Sequence, residues 1–318
     1  MAVEIPVEKW RGRISEVVLG ATENDSGEKR KSVRIGGQSS LPFLDCDGEI
    51  PNRPVIAAEV HDAPPDIPAV IKDDFSGILD SPVLWAKKAV SEWGADVICL
   101  KLSGTNPEGL NRSASDSEKL VSELIKTVSA PLIVYGCGSE EKDATVLRAV
   151  GDAISPERGA IGLAENEKYK AIARVAVDTG QNIIAFSNLD INLAKQLNIM
   201  LTDCGVEKDR IVMDPLMGAL GYGLEYSYSV IERIRLAALQ GDSMLQMPII
   251  CDATVAWNVR EATDESSSGS KLQGINWEAL TGISALTAGA DIVIMKHPES
   301  IKIANRMVKN TGSVTERH

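Results

Sequence analysis

At 318 residues, 44% of them hydrophobic and 25% charged, the chain can bury a large core as one big domain or two smaller ones. Lys and Arg number 33 against 45 Asp and Glu, a formal charge of -12. That balance argues against a nucleic-acid partner, whose phosphates need clustered cations, and reads most simply as solubility.

Residues 1–54 stand apart from the rest. Ile14–Leu19 and Ser32–Ile35 read as two short strands about a charged turn, Glu23–Lys31, and a loop through Pro42, Pro51 and Pro54 follows. A hairpin and an extended arm lying against the main body are expected. The start, MAVEIPVEKWRGR, lacks the apolar core of a signal peptide, and no apolar run approaches the length of a bilayer span.

From residue 55 to 318 strands and helices alternate. The strand runs are Val55–His61, Ala95–Leu102, Pro131–Gly136, Gly159–Glu165, Asn182–Ser187, Arg210–Asp214, Pro248–Thr254 and Asp291–His297. Each is short and mostly apolar, as in a buried parallel sheet. Helical periodicity runs through Pro82–Trp93, Asp116–Val128, Glu141–Ile154, Glu167–Thr179, Ile191–Cys204, Ser229–Gln240, Trp277–Ala288 and Ile301–Lys309. Ser81 before Pro82 suits an N-cap, and Gly94, Gly180, Gly205 and Gly289 follow helices, where a left-handed cap wants glycine. Eight such units predict an α/β fold, a (β/α)8 TIM barrel with an N-terminal β-hairpin extension. A doubly wound sheet would more naturally show a glycine-rich phosphate loop after its first strand, and none is present. The polar run Asp264–Ser270 after strand seven reads as a mobile excursion on the functional rim.

Strand alternation sets which side chains enter the barrel. Ile56, Ala58 and Val60 face the helices, which leaves Glu59 and His61 inside; Ile98, Leu100 and Leu102 do the same for Cys99 and Lys101. A charge inside is costly unless paired, so Glu59 is expected to pair with Lys101 or Lys296. Asp62, Lys101, Asn166 and Asn188, with Asp214, Asp252, Thr254 and His297, are expected to ring the C-terminal mouth. His61 and His297 lie on neighbouring strands but lack a third histidine in the fold, which weighs against a metal site. Cys46, Cys99, Cys137, Cys204 and Cys251 form no C-x-x-C pair, which suits a reducing cytoplasm and leaves no iron–sulfur or zinc spacing. No nucleophile motif such as G-x-S-x-G is present, so no catalytic residue is assigned.

The stretch Asp209–Ser229, DRIVMDPLMGALGYGLEYSYS, joins a buried strand to a glycine-containing loop and a helix. Its Val212–Ser229 portion, with Arg53–Asp62 (RPVIAAEVHD) and Met247–Trp257 (MPIICDATVAW), resembles the small subunit of the corrinoid iron–sulfur protein, called delta in the archaeal acetyl-CoA decarbonylase/synthase. The resemblance covers essentially the whole chain. It implies a place in the reductive acetyl-CoA pathway of carbon fixation in anaerobes. There a heterodimer carries a methyl group on cobalt, from methyltetrahydrofolate by way of a methyltransferase, to acetyl-CoA synthase. The implied partners are the large corrinoid iron–sulfur subunit, the methyltetrahydrofolate methyltransferase, acetyl-CoA synthase and a reductive activator protein. The corrinoid (cobamide) would be shared with the large subunit, which alone holds the iron–sulfur cluster. The segment HDAPPD at His61 departs from the D-x-H-x-x-G corrinoid-ligand signature, so this chain is not expected to bind the corrinoid tightly alone. Met217, Leu220, Gly221 and Tyr222, with Asn188, Asp214, Thr254 and Trp257, are the candidates to line the corrinoid face, by their position in the barrel. The alternative is a pterin-binding methyltransferase holding its ring with Asn188, Asp214 and Asp252. A third reading is a Schiff-base aldolase using Lys101 or Lys296.

Overall fold

The computed structural model describes residues 6–21, 31–44, 46–266 and 269–312. Val17–Leu19 (β1) pairs antiparallel with Val33–Ile35 (β2). Most of the predicted turn between them lies outside the described residues. Eight parallel strands follow: β3 (Val55–His61), β4 (Val97–Lys101), β5 (Leu132–Tyr135), β6 (Ala160–Ala164), β7 (Asn182–Phe186), β8 (Ile211–Asp214), β9 (Ile250–Asp252) and β10 (Ile292–Met295). Each pairs with its sequence neighbour, β10 returns to β3, and a bridge from Met213 to Ile249 closes the ring between β8 and β9. This is a (β/α)8 barrel with an N-terminal hairpin.

The helices between strands are α1 (Pro82–Lys88, continued as a π turn to Trp93), α2 (Ala114–Thr127), α3 (Glu140–Ala153), α4 (Tyr169–Thr179), α5 (Ile191–Asp203) and α6 (Leu224–Leu239). A short α7 (Arg260–Thr263), α8 (Ser270–Ala288) and α9 (Pro298–Gly312) complete the series. Ser81 caps α1 by accepting the Leu84 N–H, and Gly94 and Gly180 adopt the left-handed conformation after their helices. Two helices start more than a full turn earlier than periodicity suggests. α6 begins at Leu224 and α8 at Ser270, because left-handed Gly223 and then Gly269 let the chain turn straight into a helix. The excursion Asp264–Ser270 lies partly outside the described residues.

The core has two shells. Ile56, Ala58, Val60, Ile98, Leu100 and Leu102 pack outward against the helices. Val55, Ala57, Val97, Cys99 and Tyr135 fill the lumen, as alternation requires. Val17, Leu19, Val33 and Ile35 of the hairpin join this inner shell, so the hairpin plugs the N-terminal floor of the barrel. Asn182 donates to the Val18 carbonyl, and Gly20 N–H to that of Arg158, fixing the plug to the strand starts. Also at the floor, buried Asp291 accepts from Arg235 at 2.7 Å and from Gln38 of the arm at 2.7 Å.

Candidate functional site

With the floor closed, the open end is the C-terminal mouth. There Glu59 on β3 is buried in a cluster of charges, 2.5 Å from Lys101, 3.0 Å from His61 and 3.3 Å from Lys296. Lys101 also reaches Asp252 at 2.6 Å. The expected Glu59–lysine pair thus forms with both lysines. Burial pushes the Glu59 carboxyl up, but Lys101, His61 and Lys296 outweigh it and hold it well below the usual range. Burial pulls Lys101 down, yet Asp252 and Glu59 raise it well above its ordinary value. A lysine held so firmly in the charged state is a poor Schiff-base nucleophile.

Asp214 closes β8 on the far side of the lumen. Burial raises its pKa to about 7, Asp252 adds to the rise, and one hydrogen bond from the Leu216 N–H opposes it. Thr254 is buried and donates its hydroxyl to Asp252 at 2.6 Å. Asn188 is exposed with φ 44, on the rim after β7.

The remaining candidates separate into exposed and covered groups. Tyr222 and Gly221 stand on the rim surface, Tyr222 55% exposed and donating to Glu261 at 3.0 Å. Leu220 is half-buried; its carbonyl accepts from Trp277 and its N–H donates to Thr281. Met217 and Trp257 are both buried in the shell between strands and helices, Trp257 against His297.

Two expected mouth residues point elsewhere. His297 is buried in the helix layer between Trp257 and Phe75, with Nε2 3.0 Å from Asp74. Lys296 takes the inward position instead, because neighbours on a strand point to opposite faces. Two N–H groups, of Lys296 and His297, are pinned by buried Glu278, whose carboxyl burial pushes to about 7. Asp62 also turns away from the lumen, accepting the Gly104 N–H and the Arg112 ion pair. His61 and His297 therefore engage different carboxylates, and no group of three metal-ligating side chains occurs among the described residues.

A cavity of about 320 Å³ opens beside the charge cluster, over the ends of β3 to β6. His61, Lys101, Tyr135 and Leu163 line it from the strands. Across from them, Asp143 of α3 accepts both the Cys137 and Gly138 N–H groups at 2.8 Å. Gly136 makes this clasp possible, since a Cβ there would lie 2.3 Å from the Asp143 carboxyl carbon. Neither Tyr135 nor Asp143 was among the sequence candidates. The available signal was the pair of glycines around Cys137 at a strand end.

Known proteins frame this site. The sequence profile described as CO dehydrogenase/acetyl-CoA synthase delta subunit matches residues 16–312. The acetyl-CoA decarbonylase/synthase complex subunit delta 1 of Methanosarcina thermophila is 35% identical over 97% of this chain and 73% of its own length. The delta subunit of Methanothermobacter thermautotrophicus is 37% identical over 94% of this chain and 76% of its own. Among solved structures, the dihydropteroate synthase of Xanthomonas albilineans superposes with a TM-score of 0.57 at 16% identity, covering 86% of this chain and 98% of that one. That likeness concerns the barrel alone. By profile and by relatives across nearly its whole length, the chain belongs to the CO dehydrogenase/acetyl-CoA synthase delta subunit family.

Proposed function

We propose that this chain is the barrel subunit of a heterodimeric corrinoid methyl carrier, whose mouth caps a corrinoid held by a larger iron–sulfur subunit. In this role it serves methyl transfer from methyltetrahydrofolate, through a methyltransferase, to acetyl-CoA synthase. The observation that carries the reading is the form of the mouth. Its charges are spent on one another, Glu59 with Lys101 and Lys296, and Lys101 with Asp252. What the loop after β8 offers outward is Gly221, Tyr222 and Tyr226, the last two 55% and 65% exposed, beside the carboxylates of Glu225 and Glu261. Such a surface suits the face of a macrocycle and sheds water from it, and a corrinoid supplies the reactive cobalt that needs that shelter. Asn188 and Leu220 extend the same rim, while Asp214 and Thr254 stand at the strand ends behind it; Met217 and Trp257 are buried in the layer around the barrel, and Trp277 and Thr281 hold the loop at Leu220.

The membership of this family and the names of its relatives, subunits of acetyl-CoA decarbonylase/synthase complexes, support a partner subunit for this chain as well. A reductive activator and the methyltransferase would meet the carrier in turn, so the cap must move between encounters. The competing reading is a pterin-binding methyltransferase. Asp214 favours it, because a carboxyl with a pKa of about 7 holds its proton well above the usual carboxylate range and can donate to a neutral heterocycle at the mouth.

Purification from the native host with metal analysis and an absorption spectrum decides between them. A larger subunit arriving with cobalt and iron, and a corrinoid spectrum lost when the chains are separated, is the expected result. A lone colourless chain that binds methyltetrahydrofolate would overturn the carrier reading.

A further inference from the structure

Exposed apolar surface gathers along α6 and the loop before it. Leu224 and Tyr228 are half-buried, packed on the core from one side and open on the other. Positions 224, 225, 228 and 232 share one stripe at helical spacing, which runs down the outside of the barrel from the Gly221 loop. A groove of about 370 Å³ lies along that stripe, with Leu220, Leu224 and Tyr228 as its apolar lining. Its charged lining is Glu225 and Glu232, and no lysine or arginine lines it among the described residues. Neither carboxylate is ion-paired among the described residues. From Leu224 to Glu232 the stripe is about 12 Å long, two turns of a helix laid against it. An apolar bed between unmatched carboxylates calls for a guest that is apolar on one face and cationic at its edges.

We propose that this groove holds an amphipathic helix of the larger subunit, its apolar residues on Leu224 and Tyr228 and its lysines or arginines on Glu225 and Glu232. The assignment rests on the reading above that the chain works beside a larger subunit, and it puts the grip on the outer flank of α6, not over the lumen. A second copy of this chain is a poor occupant. A two-fold contact would set the same carboxylates against themselves, and each copy carries a formal charge of -12. The groove meets the mouth at Gly221, so one partner can hold the flank and still reach across the strand ends.

The test takes the full chain together with the larger subunit purified from the native host. Metal analysis and the corrinoid spectrum of the assembly report on the carrier reading. Amide hydrogen exchange over residues 220–232, in the assembly and in the separated chain, reports on the groove. Three variants accompany the wild type. Glu225→Lys/Glu232→Lys reverses two exposed charges, Leu224→Arg puts a cation on the apolar bed, and Val177→Arg, at an exposed apolar position on α4, is the control. Unfolding midpoints of all three separate a folding defect from a docking one. The expected result is slower exchange over residues 220–232 in the assembly, with affinity for the larger subunit about tenfold weaker or more in both groove variants and unchanged in Val177→Arg. Added salt should weaken the wild-type assembly and not that of the charge-reversed variant. A larger subunit that brings cobalt and iron, yet leaves the exchange and both variants' affinities unchanged, would overturn the groove and leave the carrier reading standing. A larger subunit that arrives without corrinoid and protects the groove would keep the proposal and overturn the carrier reading. A homodimer that both groove variants disrupt would make a second copy the occupant and overturn the proposal.

Discussion

Glu59 shows how one carboxylate organises the mouth. It is buried and answers two lysines and His61, so removing its charge leaves Lys101 with Asp252 alone and Lys296 with none of the pairing described above. Glu59→Gln is therefore expected to destabilise the fold by about 3–5 kcal/mol in urea unfolding, the cost of orphaning a buried charge. Asp214 acts in the opposite sense. Its pKa is about 7 in the folded protein against an ordinary 3.8, so between those values the folded state holds a proton that the unfolded chain has released. Stability must then fall as pH rises through that window and level off above it. Asp214→Asn should flatten this fall relative to the wild type and gain stability at pH values above the window, which unfolding curves taken across the range will show. Glu278 slopes the same way, and its contribution cancels in the comparison. The inward positions of Glu59, His61 and Lys101 were legible from alternation alone. His297 does not join them: alternation carried on from Ile292 and Ile294, which face the lumen, puts Lys296 inside and His297 among the helices, where Glu278 holds both N–H groups. Tyr135 escaped notice since a tyrosine at the end of an apolar run looks like core.

The hairpin β1–β2 is the element with the most leverage for its size. Three residues in each strand supply Val17, Leu19, Val33 and Ile35 to the lumen. Leu19 is fully buried, and Leu19→Ala should cost about 2–5 kcal/mol by thermal or urea unfolding, a core-sized effect from a terminal segment. A cost below about 1 kcal/mol would mean that the plug is dispensable. All eight barrel strands were readable because each is an apolar run bounded by turn residues, and their observed ends fall within or at those runs. The two early helix starts were not, since a left-handed glycine at an N-cap leaves no side-chain signature. That the hairpin plugs the floor was also beyond reach, because its alternation says that one face is buried but not against what.

At the scale of the whole molecule, a closed floor and an open mouth make the barrel directional. No helix among the described residues is long and apolar enough to cross a membrane. Association, on the carrier reading, belongs to the mouth. Truncating both Tyr222 and Tyr226 to alanine should leave the unfolding midpoint nearly unchanged, since both side chains are exposed. The same variant should weaken binding of the larger subunit by about tenfold or more in a titration, as loss of interface aromatics does. Unchanged affinity would move the interface elsewhere on the barrel.

The floor also settles how the molecule can be handled. Arg11 and Gly12 hydrogen-bond to the Leu239 carbonyl at the end of α6, and Asn305 in the middle of α9 donates to the Gly94 carbonyl, before β4 begins. The first described stretch thus runs along the face opposite the mouth, while α9 descends toward that face from the end of β10. A chain held to a sensor surface through its floor, at a residue of the stretch that carries Arg11 and Gly12, should stand with its rim toward the solution, so that binding measured there samples the same geometry for every molecule on the chip.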